Sequence, residues 1–246
     1  MRFFKRSWRP ALILVIALSI TVYSLSFKAY ADAGRALVVA VDVSSSVDAE
    51  SYKLQMEGIA AALENEDVFA SIMSTSAEGI LFTMVTWANH PRTVISWTKI
   101  DSIEKARITA ARIRKLPQIG GQYTCVTRMF RHIIDKVLPQ MPGRAFQTVV
   151  DVSGDGKENC NPHNPVTMTR DELVGQNVTI NGLPILQGGE GDTIEKWYRE
   201  NVIGGFGAFV VTANGFKDFG SAFIQKFRSE ITGLPLPREY ADKKAD

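Results

Sequence analysis

The sequence predicts an α/β protein with a doubly wound, mostly parallel sheet that is flanked by helices. Short, continuous apolar runs recur along the chain, as in strands that are buried on both faces of a parallel sheet. Between these runs, apolar residues recur at spacings of three and four, which is typical of amphipathic helices. The alternation of the two patterns indicates strands that are joined by helical crossovers.

The elements follow one another in that alternating order. Four apolar runs are predicted strands, at 36–41, 80–85, 146–150 and 208–211, and a short strand is predicted at 178–180. Helices are predicted over 52–63, 103–116, 126–137, 170–176, 193–200 and 219–231. The glycine-rich stretch 183–192 is expected to form a surface loop.

The first 31 residues have the composition of an export signal. Four basic residues within the first nine precede an apolar run over 11–27 that contains no acidic residue. Ala29-Tyr30-Ala31 then presents small residues to a signal peptidase, so we expect a bacterial signal peptide over 1–31 and a periplasmic or secreted protein. The alternative is an uncleaved anchor, which would be the only attachment to a membrane.

The remaining chain is expected to form one domain over 34–234, followed by a polar tail over 235–246. The whole chain carries a formal charge of +2, but residues 1–31 contain five basic residues and no acidic one. The chain without them has 23 basic and 26 acidic residues, a net charge of −3. This balance gives no indication of a nucleic-acid-binding surface.

The predicted first strand ends in a loop that carries oxygen atoms on alternate side chains, at Asp42, Ser44 and Ser46. In an extended loop, alternate residues point to the same side. Carboxylate and hydroxyl oxygens suit a hard divalent cation such as Mg²⁺, which needs six oxygen ligands. The loop therefore predicts part of a Mg²⁺ site, and Mn²⁺ or Ca²⁺ is also possible.

This D-x-S-x-S loop resembles the metal-ion-dependent adhesion site (MIDAS) of von Willebrand factor A and integrin inserted domains. The resemblance implies a three-layer α/β sandwich and two further ligands. The family's G-G-x-x-T segment matches residues 120–124 and implies Thr124 as the fourth ligand. Its aspartate-glycine pair after a central strand matches V-V-D-V-S-G-D-G at 149–156 and implies Asp155, which in the family often acts through water.

A narrower resemblance covers nearly the whole mature chain. The same V-V-D-V-S-G-D-G segment, I-N-G-L at 180–183 and G-G-F-G-A-F-V at 204–210 are similar to exported bacterial proteins with a single A domain and no assigned activity. This resemblance implies the fold and the compartment, and it names no ligand.

Three other residues near these motifs, Asp151, Cys125 and Cys160, are candidates for supporting the metal site. Asp151 on the predicted strand suggests a residue that steadies a ligating hydroxyl or water, although a simple strand-end polar residue is an alternative. Cys125 follows Thr124 and Cys160 follows Asp155 by five residues, so convergence of the two loops on one ion would favour a disulfide. The alternative for the cysteines is two buried free thiols.

The sequence favours a binding module over an enzyme. Such a module would capture an exposed Asp or Glu of a partner protein through the Mg²⁺ ion, because neutral hydroxyl ligands leave much of the ion's charge uncancelled. The first alternative is a metal-dependent hydrolase that uses the same carboxylates, but the chain lacks G-x-S-x-G and P-loop motifs. The second is a structural or vestigial metal site in a subunit of a larger assembly.

Overall fold

The structure, a computed structural model, describes residues 33–161, 163, 165–187 and 191–233. The predicted signal peptide, the polar tail and part of the glycine-rich loop lie outside the described residues. No helix in the described part of the chain has both the length and the apolar character that crossing a membrane requires.

Within the described residues, five strands form one sheet in the order β3-β2-β1-β4-β5. Strand β1 pairs in parallel with β2 and β4, β4 pairs in parallel with β5, and β3 is antiparallel to β2. The strands are Ala33–Asp42 (β1), Ile80–Trp87 (β2), Arg92–Ile100 (β3), Ala145–Gly154 (β4) and Val178–Pro184 (β5). The predicted α/β class with a mostly parallel sheet is confirmed.

The part of the chain that the structure describes contains seven α-helices, which cover the two faces of the sheet. They are Ala49–Glu64 (α1), Glu66–Thr75 (α2), Ile103–Arg114 (α3), Val126–His132 (α4), Val166–Gly175 (α5), Gly191–Asn201 (α6) and Phe219–Thr232 (α7). One apolar core joins α1, α2, α3 and α7 to one face, where Leu37, Val39 and Val41 point. A second core joins α4, α5 and α6 to the other face, where Val38 and Ala40 point. Alternate side chains of β1 therefore contribute to the two cores on opposite faces of the sheet.

Some elements differ from the sequence prediction. Residues 208–211 do not form a ladder strand but touch the sheet edge through isolated bridges, such as Gly182 with Val210. Val210 and Val211 are nevertheless buried, so the apolar run reflected burial and not strand pairing. Leu183 belongs to β5 and is buried, so the loop begins later than predicted. Helix α5 begins at Val166, before the predicted start, and a π-helical turn over Ile133–Val137 follows α4.

The sequence pattern also missed two elements, α2 and β3. Strand β3 is an edge strand with several exposed side chains, so it shows no continuous apolar run. Helix α2 follows α1 after Asn65 and buries only Val68 and Ile72, which is too little to give a clear period.

A buried cluster of charges fastens α7 to the sheet. Lys226 Nζ lies 2.6 Å from Asp151 Oδ1 on β4 and also pairs with the carboxylate of Glu230. Asn181 on β5 donates a hydrogen bond of 2.8 Å to Glu230 Oε1. All four side chains are buried. One buried ammonium group is thus shared by two buried acidic side chains.

This unequal charge count affects the protonation of the cluster. Burial is the largest cause that raises the pKa of Asp151 to about 7, the charge of Glu230 contributes to the same shift, and Lys226 opposes it. The folded protein therefore holds a proton on Asp151 at a pH where an exposed aspartate is ionised.

Replacing the lysine tests how much the cluster depends on it. We expect Lys226→Met to lower the free energy of unfolding by about 3–5 kcal/mol, because the two buried acidic side chains would lose the ammonium group that they share. The measurement is urea unfolding of both proteins at pH 7. The control is Lys53→Met on α1, an exposed position where the expected change is within about 0.5 kcal/mol. Equal stability of the two variants would contradict the role of the cluster.

The raised pKa of Asp151 also predicts how the free energy of unfolding depends on pH. The free energy of unfolding should fall as the pH rises from about 4, the ordinary aspartate pKa, to about 7, the pKa in the folded protein. The folded chain retains the proton over this window while the unfolded chain has lost it, so the contribution is full below pH 4 and absent above pH 7. Urea unfolding in chelator should show this slope, and Asp151→Asn should reduce it. An unchanged slope in the variant would refute the assignment.

Candidate metal site

The five predicted ligands lie together at the edge of the sheet where the parallel strands end. Ser46 Oγ donates a 2.7 Å hydrogen bond to Asp155 Oδ1, and Ser44 Oγ lies 3.2 Å from Ser46 Oγ. Thr124 Oγ1 lies 3.4 Å from Ser44 Oγ. The three separated loops therefore place their side-chain oxygens within contact of one another, as the resemblance implied.

Asp42 is the fully buried member of the five predicted ligands. Its Oδ1 accepts a hydrogen bond of 2.8 Å from the backbone N–H of Ser44, while its Oδ2 is buried and has no hydrogen-bond partner among the described residues. Burial raises the pKa of Asp42 to about 7, the charge of Asp155 adds to this shift, and the Ser44 amide opposes it. Burial also raises the pKa of Asp155.

This environment fits a divalent cation. Two neighbouring carboxylates, one with an unpartnered buried oxygen, are unfavourable as anions unless a positive charge lies beside them. Every donor in the group is an oxygen atom, which suits Mg²⁺ and also Mn²⁺ or Ca²⁺. That these five residues hold a metal ion stays a prediction.

Glycines bring the second loop close to the first. Gly121 donates its N–H to the carbonyl of Val43 at 3.3 Å, and a bridge links Gly121 to Ser44. A Cβ atom at Gly120 would lie 2.7 Å from the same carbonyl oxygen, which is too close for any side chain. The two glycines of the G-G-x-x-T segment therefore allow the approach that brings Thr124 to the site.

The second and third loops are fastened to each other. The predicted disulfide between Cys125 and Cys160 is present, and it joins residues 35 positions apart. The backbone N–H of Thr124 donates a 2.8 Å hydrogen bond to Asn159 Oδ1, and the backbone N–H of Asn159 donates a 3.1 Å hydrogen bond to the carbonyl of Thr124. Glu158 accepts from the backbone N–H of Thr127 and Cys160. These contacts hold Thr124 and Asp155 in fixed relation.

Asp151 lies elsewhere than the sequence analysis expected. It was expected to steady a ligating hydroxyl or water, but its carboxylate pairs with Lys226 on α7. The reason is the alternation of β4, which directs Asp151 to the same face as Val149, toward α7. The residue therefore belongs to the cluster that fastens α7.

Sequence reasoning missed two residues that border the site. Gln187 Nε2 donates a 2.7 Å hydrogen bond to Asp155 Oδ2, and its position in the loop that follows β5 was the available signal. The hydroxyl group of Tyr198 on α6 is buried and lacks a hydrogen-bond partner in the described ranges. A Cβ atom at Gly154 would lie 2.8 Å from both this hydroxyl and Asp42 Oδ2, so the two polar atoms border the same point. Burial raises the pKa of Tyr198, and the charge of Asp42 adds to the shift.

A cleft of about 370 Å³ opens beside the ligands. Ser46 and Asp155 line it, together with Lys157, Gln187 and Ile194. The side-chain oxygens of Asp42, Ser44, Ser46, Thr124 and Asp155 form what we call the oxygen group. Its exposed side thus faces a space that can admit a side chain from another molecule.

The chain matches one sequence family. Residues 32–235 match the family described as Protein of unknown function (DUF1194). No curated protein matches the chain.

Solved structures share the fold. Proximal thread matrix protein 1 from the mussel byssus superposes with a TM-score of 0.62 at 18% identity, covering 82% of this chain and 48% of that one. The chain thus spans about half the length of the mussel protein. A further structure of that protein, with a TM-score of 0.60 and 18% identity, is described as having a zinc-occupied MIDAS motif; 82% of this chain and 49% of that chain are covered.

Two separate domains of similar size also match. The SpRpn10 VWA domain has a TM-score of 0.54 at 13% identity, covering 82% of this chain and 99% of that one. The hypothetical protein BatB from Bacteroides thetaiotaomicron has a TM-score of 0.53 at 12% identity, covering 82% and 100%. These likenesses establish a von Willebrand factor A-like fold.

The disulfide generates a prediction about metal affinity. Reduction should raise the dissociation constant for Mn²⁺ by about tenfold, because the two ligand loops would lose a fixed link. Loss of the crosslink should also lower the free energy of unfolding by roughly 3–4 kcal/mol in the chain-entropy model. Calorimetric titration with and without reductant measures the first effect. In the Cys125→Ala, Cys160→Ala double variant, reductant should change nothing, and equal affinity of oxidised and reduced wild type would disprove the link.

Proposed function

Because the chain belongs to the DUF1194 family and has a von Willebrand factor A-like fold, we propose that it is a metal-dependent protein-binding module. In this proposal, Asp42, Ser44, Ser46, Thr124 and Asp155 hold Mg²⁺, and the ion captures an exposed Asp or Glu of a partner protein. The observation that carries the proposal is the convergence of these five side chains beside an open cleft.

The chemistry of the ligands supports capture of an acidic group. A hard cation favours a further carboxylate oxygen, and such a contact is stronger than one between neutral groups. The chain's own residues would hold the ion and orient it, with Gln187 restraining the outer oxygen of Asp155. The zinc-occupied motif named for the mussel protein supports a divalent ion in this kind of site.

We propose further that the protein acts outside the cytoplasm. The disulfide supports this location, since disulfides persist mainly in oxidising compartments. A periplasmic or secreted module of this kind would serve in adhesion or as a scaffold. A hydrolase that uses the same carboxylates remains the alternative from another class, and metal-dependent turnover of phosphate or ester substrates would distinguish it.

Two neighbouring serines provide a matched test of the metal site. We expect Ser46→Ala to raise the dissociation constant for Mg²⁺ and Mn²⁺ by at least about tenfold, because an oxygen ligand is lost. Ser45→Ala should leave it nearly unchanged, since Ser45 Oγ donates to the carbonyl of Gln122 and not to the oxygen group. Calorimetric titration measures both. Equal affinities in the two variants would exclude Ser46 as a ligand.

The same variants test partner capture. Immobilised wild type and Ser45→Ala should retain proteins from an envelope extract in Mg²⁺ but not in chelator, and Ser46→Ala should retain none of them. Converting the extract's carboxylates to neutral amides with carbodiimide should abolish the retention. Capture that survives chelator, or that survives the blocking of carboxylates, would contradict the proposed mode of binding.

A further inference from the structure

A cavity of about 530 Å³ lies at the opposite end of the sheet from the metal site. Its walls come from the start of β1, β4 and β5, the end of α7 and the segment after α6. Arg35, which lines it, precedes Asp42 by seven residues in the same strand, a separation of about 23 Å. The volume is within the range of small-molecule sites, about 300–1,000 Å³. This cavity is therefore distinct from the cleft beside the metal ligands.

Two side chains of opposite charge line the cavity. Glu230 is buried, and its Oε2 has no hydrogen-bond partner in the part of the chain that the structure describes. Its other oxygen is already engaged by Asn181 and Lys226. Arg35 is half-buried, and its guanidinium group donates to the carbonyl of Ile231 at 2.9 Å and to the side-chain oxygen of Gln147. Burial lowers the pKa of this guanidinium group, while the charge of Glu230 opposes the shift. A ligand that brings a cationic donor to Glu230 and an anion to Arg35 would give Glu230 Oε2 a partner and add a charged acceptor to those that Arg35 already has.

The third feature of the cavity is aromatic. Phe206 lines the cavity and is 96% exposed. Hydrogen bonds nevertheless connect the backbone of its loop to β5. Gly204 and Ile180 exchange two hydrogen bonds of 2.7 and 3.1 Å, and Thr179 Oγ1 donates to the carbonyl of Phe206 at 3.2 Å. Phe209 adds a second, partly buried ring to the lining. A well-held loop therefore presents an apolar ring to solvent beside a charged cavity.

We propose that this cavity binds a free amino acid with an apolar or aromatic side chain. The α-ammonium group donates to Glu230, the α-carboxylate pairs with Arg35, and the side chain packs against Phe206 and Phe209. Both charged groups of a zwitterion are needed to match the two charges of the lining, and the aromatic rings select its side chain.

Three probes separate these contributions. L-phenylalanine carries both charges, phenethylamine lacks the carboxylate, and 3-phenylpropionate lacks the ammonium group. Calorimetric titration of the full chain should show L-phenylalanine binding at least about tenfold more tightly than either partial probe, since each charge-assisted hydrogen bond contributes that much. Equal affinity for the three probes, or no binding of L-phenylalanine, would overturn the proposal.

Variants assign the contacts. Glu230→Gln should weaken L-phenylalanine and phenethylamine but leave 3-phenylpropionate unchanged. Phe206→Ala should weaken all three probes, and Phe146→Ala is its control, because Phe146 is 86% exposed and does not line the cavity. Identical binding by the two phenylalanine variants would refute the site even if Glu230→Gln failed to fold. Chelator should have no effect on any titration, which separates this result from the metal-dependent function.

Discussion

The parallel pairing of β1 with β4 places two carboxylates at one edge of the sheet. Val41 is in register with Ser153, so Asp42 ends one strand close to where Asp155 leaves the other. Burial makes this arrangement unfavourable for two anions, as the raised pKa values of both groups indicate. Hydroxyl groups surround the carboxylates, and no described basic side chain pairs with either of them. The local electrostatics therefore favour a cation from outside the chain.

A second pair of buried acidic residues, Asp151 and Glu230, differs from Asp42 and Asp155 in having a basic side chain beside it. Asp151 and Glu230 lie against Lys226, so a cation from the chain itself compensates them. That cluster fastens α7 across β4 and β5, and one of its carboxylates also lines the cavity at the far end. The buried acidic residues Asp151 and Glu230 thus attach a helix to the sheet, whereas Asp42 and Asp155, in our proposal, serve to bind a metal ion and a partner.

Rigidity around the oxygen group follows from the loops and not from the strands alone. The disulfide, the Thr124–Asn159 pair and the capping carboxylate of Glu158 join the second and third loops. The glycines at 120 and 121 let the second loop lie against the first. The cleft beside Ser46 and Asp155 is the side from which, in our proposal, a partner approaches.

The sequence by itself determined the fold class, most helices and three of the four longer strands, because apolar periodicity reports directly which face of an element is buried. The loop after the first strand indicated Asp42, Ser44 and Ser46 by its alternating oxygen-bearing side chains, and the resemblance to the adhesion site implied Thr124 and Asp155. Tertiary structure alone decided the surroundings of Asp151, Gln187 and Tyr198, because each lies beside residues distant in sequence. The run 208–211 shows the same limit: local apolarity predicted burial correctly, but only the neighbouring chain could decide whether a ladder forms.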